Sequence, residues 1–180
     1  IKNATKTGIG LVAVKNSGHY GLSGYYAEQA VKKNLVTMIY TNAPPAIAPH
    51  GALKSLFGTN PICFGAPVGK KVPFILDTSI AMINRGKIRV AERNKTSIPE
   101  GVALDKHGKP TTDAKKALQG VQLPIASFRG SGLAWMVDIL SGVLTGGNHA
   151  GRVKDPFEDF TGPQNICLLY TSPSPRDSDT

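Results

Sequence analysis

Cysteine is scarce. Only Cys63 and Cys167 occur in 180 residues, so there is no disulfide framework and no paired-cysteine spacing for a structural metal. A reducing compartment follows as the expectation. The four histidines, His19, His50, His107 and His149, are scattered without ligand spacing, and no bound metal is expected. Long apolar runs are absent too. The longest are strand-length, too short to cross a bilayer as a helix, so no membrane partner is expected. Acidic residues are outnumbered, 12 against 21 basic, for a formal charge of +9. The densest basic run, "RGKIRVAERNK" (85–95), has no aromatic residue interleaved to stack on a base. It reads as a solvated face, or as help in holding a phosphorylated cofactor, and no nucleic-acid partner is expected. The opening "IKNATKTG" has neither an initial methionine nor a signal-peptide layout, and the chain reads as starting inside a domain.

What is present suits one domain with a real core, at 41% hydrophobic residues. "GIGLVAVKN" predicts a buried strand and "GYYAEQAVKKN" a short helix closing at Asn34. "LVTMIYTN", "NPICFGAP" and "VPFILDTS" predict three further strands. Residues 95–124 are polar and turn-rich, and read as surface loops. "GLAWMVDILSGVLTGG" is the clearest helix: Leu133, Met136, Val137, Leu140 and Leu144 share one face, and Gly146 and Gly147 stop it. The end, "LLYTSPSPRDSDT" (168–180), lacks periodicity and resembles translated sequencing-adapter DNA. The domain is therefore drawn over 1–165, with 166–180 set apart as a non-native or disordered tail.

Several short motifs could carry chemistry. Gly8, Gly10 and Ala13 match G-x-G-x-x-A, yet they lie inside a strand where the fingerprint should follow one, and the match reads as chance. In "NSGHYG" a histidine stands at a strand end among glycines. Such a ring titrates near neutrality and can pass a proton; it could equally be a turn residue bonded to a neighbouring carbonyl. "GTNP" (58–61) presents a hydroxyl and an amide, or is simply a polar strand entry. Asp77, Thr78 and Ser79 close a strand with three hydrogen-bonding side chains that could hold ribose or phosphate, or cap a turn. Arg129 lies among small residues at a helix start, a place suited to an anion or to an ordinary surface arginine.

Together and in order, "GIGLVAVKNSGHYG", "YTNAPPAIAPHGALKSLFGTNPICFGAP", "LDTS", "RGKI", "IPEGVALDKHGKPTTD" and "LPIASFRGSGLAWMVDILSGVLTGG" resemble the malate/L-lactate dehydrogenase family. This is the non-Rossmann family of ureidoglycolate, sulfolactate and diketogulonate dehydrogenases. The resemblance implies an α+β fold with a largely antiparallel mixed sheet and flanking helices, incomplete here at both ends. It implies hydride transfer between NAD or NADP and a small 2-hydroxy or 2-oxo acid such as malate, lactate, ureidoglycolate or sulfolactate. His19 would be the acid/base, and Ala43, Asp77, Thr78, Ser79, Phe128 and Arg129 would line the cofactor. A cytoplasmic homodimer is implied as well, although the fragment alone is expected to be inactive. Arg129 replaces a lysine common in the family, and Ala43 a serine. The alternatives are a cyclic imino acid reductase of the same family and a basic nucleic-acid-binding module.

Overall fold

The computed structural model describes residues 1–69, 71–155, 159, 161 and 166–173, the last strand beyond Ile166 by its backbone alone. The fold is α+β. Its centre is a five-stranded sheet of β1 (Ile9–Ser17), β2 (Thr37–Thr41), β3 (Ile62–Ala66), β4 (Phe74–Thr78) and β7 (Ile166–Pro173). The spatial order is β1-β7-β2-β3-β4, and every neighbouring pair is antiparallel. Side chains alternate across a strand, and the two faces accordingly meet different helices. Ile39 and Cys63, paired across β2 and β3, pack with Ala27 of helix α2 (Ser23–Val31). Tyr40 and Ile62, the next pair, face the cluster built on Ala134 and Val137 of helix α5 (Phe128–Asp138).

Helix α5 buries a different face from the one its large apolar residues predict. Gly130, Ser131, Ala134 and Val137 are buried, while Leu133, Met136 and Leu144 are exposed. Small residues let the helix axis approach the sheet closely, and close packing outweighs the size of the side chains left outside. The helix continues as one π-helical stretch, Ile139–Val143, and Gly146 follows in the left-handed conformation at φ +71°.

Strand β1 also differs from its expected burial. It lies at the sheet edge, and Ile9, Leu11, Val12 and Val14 are each at least 41% exposed. Gly8 caps a preceding short helix, α1 (Lys2–Thr7), which accounts for one glycine of the apparent fingerprint without a ligand.

Residues 95–124 are more ordered than their composition predicts. Helices α3 (Arg85–Arg93) and α4 (Ala114–Gln119) close with the short pair β5 (Ala103–Leu104) and β6 (Val121–Gln122) over a core of Ile83, Ile88, Ile98, Val102, Ala103, Ala114 and Ala117. Asp113 caps α4 by accepting the Lys116 N–H at 3.0 Å.

Part of the stretch set apart beyond residue 165 pairs with the sheet. The backbone of Ile166–Pro173 occupies the slot between β1 and β2, pairing Thr171 with both Leu11 and Met38. Ladder bonds come from the main chain, so a stretch without side-chain periodicity can fill that slot. Residues 174–180 lie outside the described residues.

Candidate active site

The link from β1 to α2 carries His19, and its conformation is set by local hydrogen bonds. Gly21 turns the chain at φ +89°, a region that favours glycine, and its N–H donates to His19 Nδ1 at 3.1 Å. Tyr26 Oη donates to the Tyr20 carbonyl at 3.2 Å, and the Tyr20 and Ser23 hydroxyls bond at 2.6 Å. Burial pushes the Tyr20 phenol up to about 12, against the Ser23 bond that pulls it down, with the Asp77 charge adding to the rise.

The first turn of α2 has no side-chain cap from Leu22 at its N-cap position. Asp77 supplies one from the end of β4: its Oδ2 accepts the Gly24 N–H at 2.7 Å. A carboxylate there satisfies an otherwise orphaned donor and complements the helix dipole. Thr78 donates to the Ser79 carbonyl at 3.3 Å, and Ser79 Oγ accepts the Ala81 N–H at 2.9 Å. These three residues brace turns and also line a cleft.

Ala43 is held just as firmly. Its N–H donates to Asn60 Oδ1 at 3.1 Å, and Asn60 Nδ2 donates to the Ala134 carbonyl at 3.1 Å. Gly58 touches the same residue so closely that a Cβ would lie 2.2 Å from the Ala43 carbonyl oxygen. "GTNP" is thus a clamp joining Ala43 to α5, with Thr59 left on the cleft wall.

His19, Ala43, Asp77, Thr78 and Ser79 all line one cleft of about 710 Å³. Phe128 and Arg129 do not line it. They start α5, where Phe128 is 60% exposed, meets the His50 ring edge-on and carries the Arg129 guanidinium 5.0 Å over its own ring.

The cleft also contains Arg85 and Arg89 of the basic run read as help with a phosphorylated cofactor, together with Asn42 and Asp155, which the sequence did not single out. Asn42 donates through Nδ2 to the Asn148 carbonyl, and Arg85 pairs with Asp155 at 3.3 Å. Arg85 and Arg89, one helical turn apart, face this cleft, whereas Lys87 faces a second hollow of about 470 Å³ behind the Asp77–Ser79 ridge. Helical spacing within the basic run was the available signal for the two arginines. Asn42 and Asp155 had none, because only the fold brings them near.

A dinucleotide needs flat apolar contact for its rings and cations or N–H groups for its phosphates. The cleft offers Leu22, Pro44 and Pro61 for the first and Arg85 and Arg89 for the second, within the size range of ligand pockets, about 300–1,000 Å³. The residues fit such a group.

Known proteins resemble this chain in both sequence and structure. The solved sulfolactate dehydrogenase from Methanocaldococcus jannaschii superposes with a TM-score of 0.85 at 40% identity, over 97% of this chain and 50% of that one. By sequence, the L-sulfolactate dehydrogenase of that organism is 46% identical over 155 residues, 86% of this chain and 44% of that protein. A malate dehydrogenase of Pyrococcus abyssi is 41% identical over 178 residues, 94% of this chain and 48% of that protein. The chain spans about half the length of the curated relatives it matches. The malate/L-lactate dehydrogenase family model matches residues 1–176, and the chain belongs to that family.

Proposed function

We propose that the protein is an NAD(P)-dependent oxidoreductase that interconverts a small 2-hydroxy acid and its 2-oxo acid. The observation that carries this reading is the convergence on one cleft of His19, the Asp77–Ser79 ridge and the Arg85/Arg89 pair, from three separate parts of the chain. The nicotinamide, when bound, supplies or accepts the hydride. The chain's own residues hold the reactants. Pro44 and Pro61 offer apolar walls, and Thr78 and Ser79 present backbone and hydroxyl groups to the cofactor. Arg85 and Arg89 balance the charge of phosphate or substrate carboxylate. Phe128 and Arg129, at the start of α5, extend the cofactor site as the family resemblance implies. His19 stands in the cleft wall to meet an oxygen of the bound reactants; the resemblance gives it acid/base duty there. A cytoplasmic homodimer completes the proposal.

The test is nicotinamide absorbance with the full-length protein, using NADH and NADPH against 2-oxo acids and cyclic imino acids. Oxidation of either cofactor by a 2-oxo acid is expected. Turnover confined to cyclic imino acids assigns the imine-reducing branch instead, and failure of both cofactors to bind overturns the reading.

A further inference from the structure

Behind the cleft wall, where α5 passes into its π-helical stretch, lies a buried carboxyl that the proposed reaction does not use. Asp138 is only 3% exposed. Its Oδ2 accepts the Ala150 N–H at 2.8 Å, and the Asn42 side chain bonds to the same carboxyl. Among the described residues its Oδ1 has no hydrogen-bond partner. Burial pushes this carboxyl up from its ordinary range, against the Ala150 bond, the nearby His149 and Asn42, which pull it down. A carboxyl so desolvated adds little net stability, and an apolar side chain of similar size could fill its space. What it contributes is the placing of the groups it holds.

Those groups belong to the cleft. Asn42 follows β2, lines the cleft and also donates to the Asn148 carbonyl. Ala150 is a non-glycine residue in the left-handed region at φ +48°, a conformation that persists where its surroundings hold it. It opens the turn Ala150–Arg152, and the buried Val153 then leads to Asp155. Asp155 pairs with Arg85 at 3.3 Å in the cleft wall. Gly142 gives this segment its room, since a Cβ there would lie 2.7 Å from His149 Cβ and 2.9 Å from the Asn148 carbonyl oxygen. On the footing that the cleft holds a nicotinamide dinucleotide, we infer that Asp138 is a positioning residue for that site. From behind the wall it fixes Asn42 and the 148–155 segment, whose Asp155 sets Arg85.

The test uses the full-length protein, with Kd for NADH and NADPH read from cofactor fluorescence and folding from circular dichroism. Asp138→Leu keeps the bulk and removes the acceptor. It should raise Kd and KM for the dinucleotide about tenfold, the effect of a displaced binding group, and leave kcat within about threefold of wild type. Asp138→Asn keeps an acceptor for the Ala150 N–H and should restore Kd to within about threefold. In an Arg85→Ala background Asp138→Leu should add little, because both changes act through one contact. A merely structural role would lower thermal stability and leave Kd and this coupling unmoved. Should Asp138→Leu not fold, Gly142→Ala displaces the same segment with the carboxyl intact and should weaken binding likewise. Unchanged Kd for both nicotinamides in whichever of the two folds overturns the inference, as does an Asn variant as weak as Leu. Wild-type protein that binds neither nicotinamide would sink the oxidoreductase reading instead. Amide exchange at Ala150 then decides the anchoring: it should be slow in wild type and fast in Asp138→Leu, and equal rates would overturn it.

Discussion

Asp77 and Gly24 meet at 2.7 Å across 53 residues of sequence, the carboxylate of β4 accepting the second N–H of α2. This one bond connects the ridge of the cleft to the helix that follows the His19 turn. It makes Asp77 a brace for the site as well as part of its wall.

Replacing Asp77 with alanine should therefore cost about 1–2 kcal/mol in urea unfolding, as a lost helix cap does. Asp77→Asn keeps an acceptor and gives up only the charge at the helix end, so it should cost about half as much. Equal stability of all three proteins would show that the bond contributes nothing.

Gly58 is the second brace. A Cβ there would meet the Ala43 carbonyl at 2.2 Å, and backbone on both sides cannot yield. Gly58→Ala is expected to cost about 3 kcal/mol, the upper range of overpacking. Gly132, in exposed helix with nothing near its would-be Cβ, is the control, and Gly132→Ala should stabilise by up to about 1 kcal/mol. Thermal unfolding of the pair separates crowding from helix propensity.

Arg85 pairs with Asp155 at the cleft wall, both side chains only partly exposed. Arg85→Ala should raise KM for the dinucleotide about tenfold, the worth of one charge-assisted contact, and change stability by less than about 1 kcal/mol. An unchanged KM for both NADH and NADPH would remove Arg85 from the proposed cofactor site.

Cys63 lies fully buried against Ile39 and Ala27. Burial, aided by the Asp77 charge, pushes its thiol up from 9.0 to about 12. The folded state then holds the proton after the unfolded chain has released it. Stability from this group is intact below pH 9 and falls as pH rises from about 9 towards 12. In a Cys167→Ser background, native protein at pH 8 should resist thiol reagents until denatured. Cys63→Ala should shrink the alkaline loss of stability by about one proton's slope. Fast labelling of the native protein would contradict the burial.

Local chemistry was enough for much of this protein. Apolar, β-branched runs bounded by proline and polar turns marked β1 to β4 because a strand's preference lies within its own few residues. The helix read as closing at Asn34 ends at Val31 with Lys32 at its cap, and Asn34 follows in the left-handed conformation at φ +56°. Six short motifs in order carried the family, and the fold followed from it. The tertiary structure decided what depends on distance in space. It chose which face of α5 is buried, since the packing of Ala134 and Val137 with Tyr40 and Ile62 of the sheet is a property of two surfaces together. It left β1 at an edge, placed the backbone of Ile166–Pro173 beside it, and gathered residues 95–124 into a lobe. It also brought Asp77 to Gly24, Asn60 to Ala43 and Arg85 to Asp155, pairings between segments far apart in the chain. A sequence shows which residues can form such bonds; only the packed fold sets the distances at which they do.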